Sequence, residues 1–465
     1  SDAGYEVEVF SIASTKELKG DAKVNAKAWE KMGGVTKVLR SRADIKKHSD
    51  FFAHSALIID SLLGTGLSSD VRGVVKACLD YINSKSIRVL SIDMPSGVSA
   101  DTGEVMGTAV RADITATFAL PKLGLYQYPG REYAGRIEVV DIGAPRILLE
   151  DPLLPSNLID DALVRSILRP RGVNTNKGSF GHLLVVAGSP GKSGAAYLAA
   201  TAAMRAGAGL VTIALPRGLN PLMEVKTTEV MTVPLPETKA GTLSIEALPA
   251  LKRLITGKSA LVIGPGLGDS KEVGGLVRAL LTEKDIKLPP VLIDADGLNV
   301  LKNDISILKK VKTKLVVTPH PGEMARLLKV TSERVQRERV FSARNLTKKT
   351  GAVTLLKGAG TVISAPKDKS DEIFINPAGS PALASAGTGD VLSGMIGAFM
   401  ANGYTPAKSA VVGVYLHGLA AEKLSNETGG FWKGHGGSVG MLASDLFPVI
   451  PRLMNCFTAK APCEC

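Results

Sequence analysis

Residues 376–394 read NPAGSPALASAGTGDVLSG, and the run Gly387-Thr388-Gly389-Asp390 within them has the composition of a phosphoryl-transfer site. Glycine on either side of Thr388 lets backbone amides approach an anion. A glycine turn that opens a helix presents free N–H groups and the positive end of the helix dipole to a phosphate. Asp390 stands where a general base could take the proton of an attacking hydroxyl. Together these residues point to activation of a hydroxyl against the phosphoryl group of a nucleotide. They also suit an ordinary helix N-terminus with an acidic first turn, so the motif has to be weighed with its surroundings. Val391, Leu392, Met395, Ile396, Phe399 and Met400 recur at helical spacing and predict a helix with one apolar face.

The elements that must position this turn follow one grammar. In the first part of the chain a strand over 57–59 leads into Gly64-Thr65-Gly66 and a helix over 71–83. A strand over 5–10 is expected before Leu18-Lys19-Gly20-Asp21. Further strands over 88–92 and 137–140 end at Asp93-Met94-Pro95-Ser96-Gly97 and Asp141-Ile142-Gly143. The run DPLLP at 151–155 reads as a linker, because proline interrupts regular structure. The pattern then restarts, with a strand over 182–187, a glycine turn and an alanine-rich helix over 195–205. Strands over 260–263, 290–293, 314–317 and 353–356 run into Gly264-Pro265-Gly266-Leu267-Gly268, Asp294-Ala295-Asp296-Gly297, Thr318-Pro319-His320-Pro321-Gly322-Glu323 and Lys357-Gly358-Ala359-Gly360-Thr361. Strands alternating with helices predict parallel sheets with both faces covered. Ligands in such sheets bind at the carboxyl edge of the strands.

The fold class is therefore α/β, with domains expected at 1–150 and 156–455 and a cysteine-bearing tail at 456–465. Gly188-Ser189-Pro190-Gly191-Lys192-Ser193 follows a strand, but a phosphate-binding P-loop needs four residues between its first glycine and the Gly-Lys pair, and here there are two. Lys192 is left as a phosphate contact or a solvated lysine on a tight turn.

The totals narrow the function classes. The 465 residues are 45% hydrophobic and 22% charged, and the net charge of +12 can steer anionic ligands such as nucleotides. No apolar run reaches the roughly eighteen residues of a membrane span, so no membrane partner is expected. No basic stripe interleaved with aromatics marks a nucleic-acid surface, so none is expected there either. Cys78 stands apart from Cys456, Cys463 and Cys465; so few cysteines in a long chain fit a reducing, cytoplasmic setting and a frayed terminal tail. A homo-oligomer is expected.

Residues 174–451 resemble the NAD(P)H-hydrate dehydratase family, a branch of the ribokinase-like superfamily. The resemblance rests on Lys177-Gly178 with Gly181-His182, on Ala187-Gly188-Ser189, on the loops just quoted at 264–268, 294–299 and 318–323, on Lys357-Gly358 and on Ala386-Gly387-Thr388-Gly389-Asp390. It implies a ribokinase-like α/β/α domain that repairs hydrated NADH or NADPH. Water added to the nicotinamide ring leaves a hydroxyl, the enzyme phosphorylates it at the expense of ADP or ATP, and phosphate then leaves to restore the double bond. Such a site needs a base, amides for the phosphoryl group and usually Mg²⁺. By the resemblance Asp390 is the base or hydrate-binding carboxylate and Gly389 a nucleotide contact. Lys357, Gly358, Ala359, Gly360 and Thr361 form the adenine-nucleotide loop, and Ala195, Gly266 and His320 contact the hydrate. His320 lies between two prolines in a rigid turn, which favours a site role. Asp296 and Glu323 either orient water or metal or cap helices. ADP is expected as donor and the S epimer as substrate.

Residues 56–143 resemble the NAD(P)H-hydrate epimerase family through the stretches 60–67, 91–97, 101–103, 111–113 and 141–143. The resemblance implies a Rossmann-like parallel-sheet domain in which Asp60 and Ser96 hold K⁺. It also implies hydrate contacts from Gly64, Thr65, Gly66, Leu67, Ser68, Ser69, Asp70 and Asp93. Carboxylate and hydroxyl oxygens suit a hard cation. The family's Asn-Asn-Gly-Gly-Asp loop occurs nowhere in the chain, so the domain is expected to be incomplete, with weak or no epimerase activity. Fast interconversion of the hydrate epimers would overturn that expectation. Two other readings are a ribokinase-like kinase for a small alcohol and a nucleotide-binding protein without turnover. Phosphate release separates the first from a dehydratase, and any turnover excludes the second.

Overall fold

The computed structural model describes residues 4–151, 153–154, 156–367, 371–428 and 439–459, with the backbone alone over 426–428. The chain separates into two compact units, Ser1–Leu154 and Pro155–Cys465.

The first unit holds a four-stranded parallel sheet, in the order Leu57–Asp60, Arg88–Ile92, Ile114–Phe118 and Arg136–Val140. The helix Gly73–Asn83 packs on it through Leu79 and Ile82, which join Ile58 and Val89 in one cluster. The strand Ile114–Phe118 is not apparent in the sequence, because Thr115 and Thr117 interrupt the apolar run and are buried all the same. Near its start the unit forms a separate two-stranded parallel pair, Val9–Ser11 with Thr36–Val38. The strand expected over 5–10 is thus only three residues long and begins at Val9. Tyr5 is 73% exposed, so alternation of residue types there reflects no buried face.

The second unit is built on a ten-stranded sheet. Its parallel part runs in the order Met231–Leu235, Leu210–Pro216, His182–Val186, Ala260–Ile263, Val291–Ile293, Leu315–Val317 and Val353–Leu356. Beyond it Thr361–Ala365 and Glu372–Asn376 are added antiparallel, and Ser156–Leu158 closes the edge parallel to Glu372–Asn376. Central strands such as Ala260–Ile263 are buried at every position, as a sheet covered on both faces requires.

The helix Thr388–Ala401 corrects the expectation of a single apolar face. It is buried on every side from Val391 to Ala401, including Ser393, Gly394, Gly397 and Ala398. Its partner is the alanine-rich helix Ser193–Arg205. A Cβ at Gly394 would lie 2.0 Å from the Ala199 carbonyl oxygen, so the two backbones touch with nothing between them. Cys456 belongs to the helix Leu446–Thr458, which anchors Phe457 in the core. Cys463 and Cys465 lie outside the described residues.

Candidate active site

In a parallel sheet all strand ends of one polarity share an edge. The carboxyl edge of the second unit gathers the loops at 188–193, 264–268, 294–297, 318–323 and 357–360. The helix Thr388–Ala401 starts there as well.

Gly387, at φ 88°, caps that helix. A side chain on it would meet Leu198 Cδ1 at 2.4 Å, so the left-handed turn also needs the absence of a Cβ. Thr388 Oγ1 donates to the carbonyls of Leu383 at 2.8 Å and Ser385 at 3.0 Å, holding the turn from behind. His417 is buried beside the Thr388 backbone, and burial pushes its imidazole down to about 4, so it stays neutral.

Asp390 follows in the first helical turn, and its carboxyl is pushed up to about 7. Burial is the main cause. Asp294, Asp296 and Glu323 push in the same direction, while the Lys357 ammonium pulls the other way. A carboxyl group that ionises near neutrality is suited to accept a proton in catalysis.

Lys357 places a cation beside Asp390. Its Nζ donates to Asp294 Oδ1 at 2.7 Å, and a side chain on Gly389 would come within 3.5 Å of that Nζ. Burial alone would lower its proton affinity, but the carboxylates of Asp294, Glu323 and Asp390 more than offset this and raise it. The Lys357 backbone N–H donates to Pro319 O at 2.9 Å. Buried Arg339 donates to the carbonyls of Leu356 at 3.1 Å and Lys357 at 3.3 Å. Residues 357–360 therefore form the tight connection of an antiparallel hairpin, and Thr361 is the first residue of its second strand. Gly358 has φ 134°, and a Cβ there would sit 3.1 Å from the Arg339 guanidinium.

His320 is the N-cap of the helix Pro321–Leu328. Its Nδ1 accepts from the backbone N–H groups of Gly322 at 3.1 Å and Glu323 at 3.4 Å. Glu323 Oε2 in turn accepts from His320 N at 2.8 Å. This reciprocal cap fixes the ring, and its Nε2 lies 3.5 Å from Glu323 Oε1. Burial, Lys357 and Arg326 together hold the imidazole below its ordinary range. Burial raises the Glu323 carboxyl. Asp296 Oδ2 accepts from Gly268 N at 2.9 Å and from Lys192 Nζ at 3.0 Å, so its carboxylate ties two loops together and caps no helix end.

Gly266, at φ 59°, abuts the 188–193 turn. A Cβ on it would lie 2.5 Å from Lys192 O and 3.0 Å from Ala195 Cβ. Gly266 and Ala195 are therefore neighbours, beside Lys192 and Asp296. Lys177-Gly178 lies elsewhere. Lys177 lines a cavity of about 1000 Å³ with Arg169, Arg171, Arg205 and Lys408. That cavity lies at the end of the helix Thr388–Ala401 opposite to Asp390, about 20 Å away for fourteen residues.

In the first unit the carboxyl edge collects the other acidic residues. Asp60 and Ser96 are fully buried. Ser96 Oγ donates to Asp60 Oδ1 at 2.6 Å, and Asp60 Oδ2 accepts from Ser96 N and Ser91 Oγ, both at 2.8 Å. The Leu63 carbonyl oxygen lies 3.3 Å from Ser96 Oγ. Asp93 adopts φ 67°, uncommon without glycine. Burial would raise its carboxyl, but Lys122 Nζ at 2.5 Å, Phe118 N at 3.1 Å and Thr117 Oγ1 at 3.2 Å together lower it. Gly64, Thr65, Gly66, Ser68, Ser69 and Asp70 are exposed in the loop after the strand Leu57–Asp60, with Leu67 half-buried.

Fold and site define an α/β/α domain of the ribokinase-like class, carrying an acidic edge with a lysine on Asp294, joined to a Rossmann-like unit. A family model described as NAD(P)H-hydrate dehydratase matches residues 183–438, and one described as YjeF-related protein N-terminus matches residues 1–124. The chain is 40% identical to the bifunctional NAD(P)H-hydrate repair enzyme of Moorella thermoacetica, over 97% of this chain and 83% of that one. It is 34% identical to that of Escherichia coli, over 97% and 80%. Among solved structures, the ADP/ATP-dependent NAD(P)H-hydrate dehydratase of Bacillus subtilis, co-crystallised with ATP and Mg²⁺, is similar with a TM-score of 0.53 at 29% identity, over 65% of this chain and 99% of that one. A ribokinase-like superfamily protein of Enterococcus faecalis shares the fold at a TM-score of 0.54 and 22% identity, over 66% and 97%. The chain belongs to the bifunctional NAD(P)H-hydrate repair enzyme family.

Proposed function

We propose that the second unit dehydrates the S epimer of hydrated NADH and NADPH, with ADP as phosphoryl donor and ATP as a possible substitute. The observation that carries this reading is Asp390. Its carboxyl lies in the first turn of a buried helix, ionises near 7 and is faced by a lysine held on a buried aspartate. In its ionised form Asp390 takes the proton of the substrate hydroxyl as that oxygen attacks the terminal phosphoryl group. The amides of the Gly387–Asp390 turn and the Lys357 ammonium stabilise the charge on the transferring group. AMP departs, and the phosphorylated hydroxyl is then a good leaving group. Its loss as phosphate, with a proton from the neighbouring ring carbon, restores the dihydronicotinamide double bond.

Lys357, Gly358, Ala359, Gly360, Thr361 and Gly389 are assigned to the nucleotide, and Ala195, Gly266, His320 and Asp390 to the hydrate. Among the described residues no group of three or more His, Cys, Asp or Glu side chains converges to hold a metal ion. The described residues therefore offer Mg²⁺ no cage of protein ligands. Mg²⁺ suits the phosphate oxygens of the nucleotide, since it keeps much of its water.

For the first unit, Asp60 and Ser96 are proposed as ligands of K⁺, with the Leu63 carbonyl beside them. Gly64 to Asp70 and Asp93 are proposed as contacts to the hydrate. The test of the principal reading is incubation of the purified protein with the hydrate, ADP and Mg²⁺. Reduced-nicotinamide absorbance and free phosphate should rise together. A phosphorylated nicotinamide product without phosphate release would identify a kinase instead.

A further inference from the structure

Asp294 reaches no solvent, yet it accepts two charge-assisted or polar hydrogen bonds from different elements. Lys357 Nζ binds Oδ1 at 2.7 Å from the hairpin, and Ser393 Oγ binds Oδ2 at 2.7 Å from the helix Thr388–Ala401. Ser393 lies three residues after Asp390, so both occupy one side of that helix. A buried carboxylate needs such partners to remain ionised, and Lys357, Ser393 and Thr318 together hold its carboxyl below the usual range although burial opposes this.

The backbone shows a further constraint. Ala295 has φ 49° and ψ −121°, a conformation that L-residues rarely adopt. Gly264, at φ 127°, packs so tightly on this turn that a Cβ would fall 1.8 Å from Asp294 O. The turn is forced into one geometry, and that geometry delivers the Asp294 carboxylate between the hairpin and the helix.

We propose that Asp294 is a positioning residue, tying Lys357 to Ser393 so that the ammonium stands over the Thr388–Asp390 turn where the transferred phosphoryl group arrives. The role rests on the dehydratase reading of this edge. It belongs to Asp294 and not to Asp296, whose carboxylate is engaged with Gly268 N and Lys192.

The test is Asp294→Asn, which keeps the shape and removes the charge. With the phosphoryl-binding cation misplaced, kcat should fall roughly 100-fold, while KM for the hydrate stays within about threefold, since uniform substrate binding is untouched. The pH profile gives a readout that a merely structural role would not move. Asp390 is faced by Asp294, Asp296 and Glu323 and by the Lys357 ammonium; Lys192, His320 and Arg326 line the same edge. Removing the Asp294 charge removes a repulsion and frees Lys357 toward Asp390, and both effects favour the ionised base. The acid limb of kcat should therefore move from near 7 in the wild type to lower pH.

Wild-type kcat and an unmoved limb in Asp294→Asn overturn the proposal. If Asp294→Asn loses its cooperative melt, Ser393→Ala carries the test, because it frees Oδ2 and leaves both charges; a kcat change under about twofold there overturns the tie. If the wild type itself shows no turnover, the dehydratase reading fails. ADP affinity by calorimetry then decides the positioning role separately. A loss of about tenfold or more in Asp294→Asn supports it, and unchanged affinity removes it.

Discussion

A carboxyl group that ionises near neutrality serves a hydroxyl nucleophile better than one that ionises near 4, because it is both available at working pH and basic enough to take the proton. Asp390 acquires that property from its setting: burial first, then the nearby carboxylates, against the pull of Lys357. The Asp390→Asn variant should lose roughly 10²–10⁴-fold in kcat while keeping ADP affinity within about threefold. Steady-state rates and calorimetry check this, and unimpaired turnover would remove Asp390 from the mechanism. The same substitution has a stability signature. The Asp390 carboxyl rises on folding from 3.8 to about 7, so its contribution is favourable below the unfolded value and is lost as pH climbs through 7. Thermal melts should show Asp390→Asn more stable than the wild type at pH 8, with the gap closing toward pH 4. Asp390 and Lys357 could be singled out from sequence, because glycine-rich turns after apolar runs are visible there. Arg339 could not. It comes from a helix that shows no signal of reaching the Leu356 and Lys357 carbonyls.

At the level of elements, the helix Thr388–Ala401 and the helix Ser193–Arg205 bring Asp390 and Ala195 to one edge, and small residues permit this. Ala at position 394 would gain up to about 1 kcal/mol in helix propensity but would be driven against the Ala199 carbonyl, an overpacking worth roughly 1–3 kcal/mol. Gly394→Ala should therefore destabilise the protein by about 1–2 kcal/mol. Urea titration checks it, and a stabilised variant would mean the helices can part. The periodicity of Val391, Leu392, Met395, Ile396, Phe399 and Met400 identified a helix correctly but misjudged its surroundings. A stripe of large apolar residues looks the same whether the remaining face meets solvent or the alanines of a neighbour.

For the whole molecule, the decisive element is a strand of only three residues. Ser156–Leu158 pairs with Glu372–Asn376 more than two hundred residues away and closes the ten-stranded sheet. Asn157 Nδ2 also donates to Ile373 O at 3.2 Å. A fragment beginning at residue 156 should fold and retain at least half of the repair rate of the full chain. One beginning at residue 161 leaves an unpaired edge and loses the buried Ile159 side chain, at a cost of about 2 kcal/mol or more. It should melt lower. Equal melting of the two fragments would show the edge strand to be dispensable. Among the described residues no helix is long and apolar enough to cross a membrane.

The amino-acid sequence by itself determined the α/β class, the loops at the strand ends and the family, because turns and strand ends are local and glycine, proline and aspartate mark them. It also placed His320, Gly266 and Lys357 in loops of one edge, since parallel strands share polarity. Tertiary structure alone decided what those residues do to one another. Burial sets the proton affinity of Asp390, a strained turn at Ala295 delivers Asp294 to Lys357, and Lys177-Gly178 comes to rest at the opposite edge. Desolvation and charge coupling depend on distances between residues far apart in the chain, and local sequence carries no record of them.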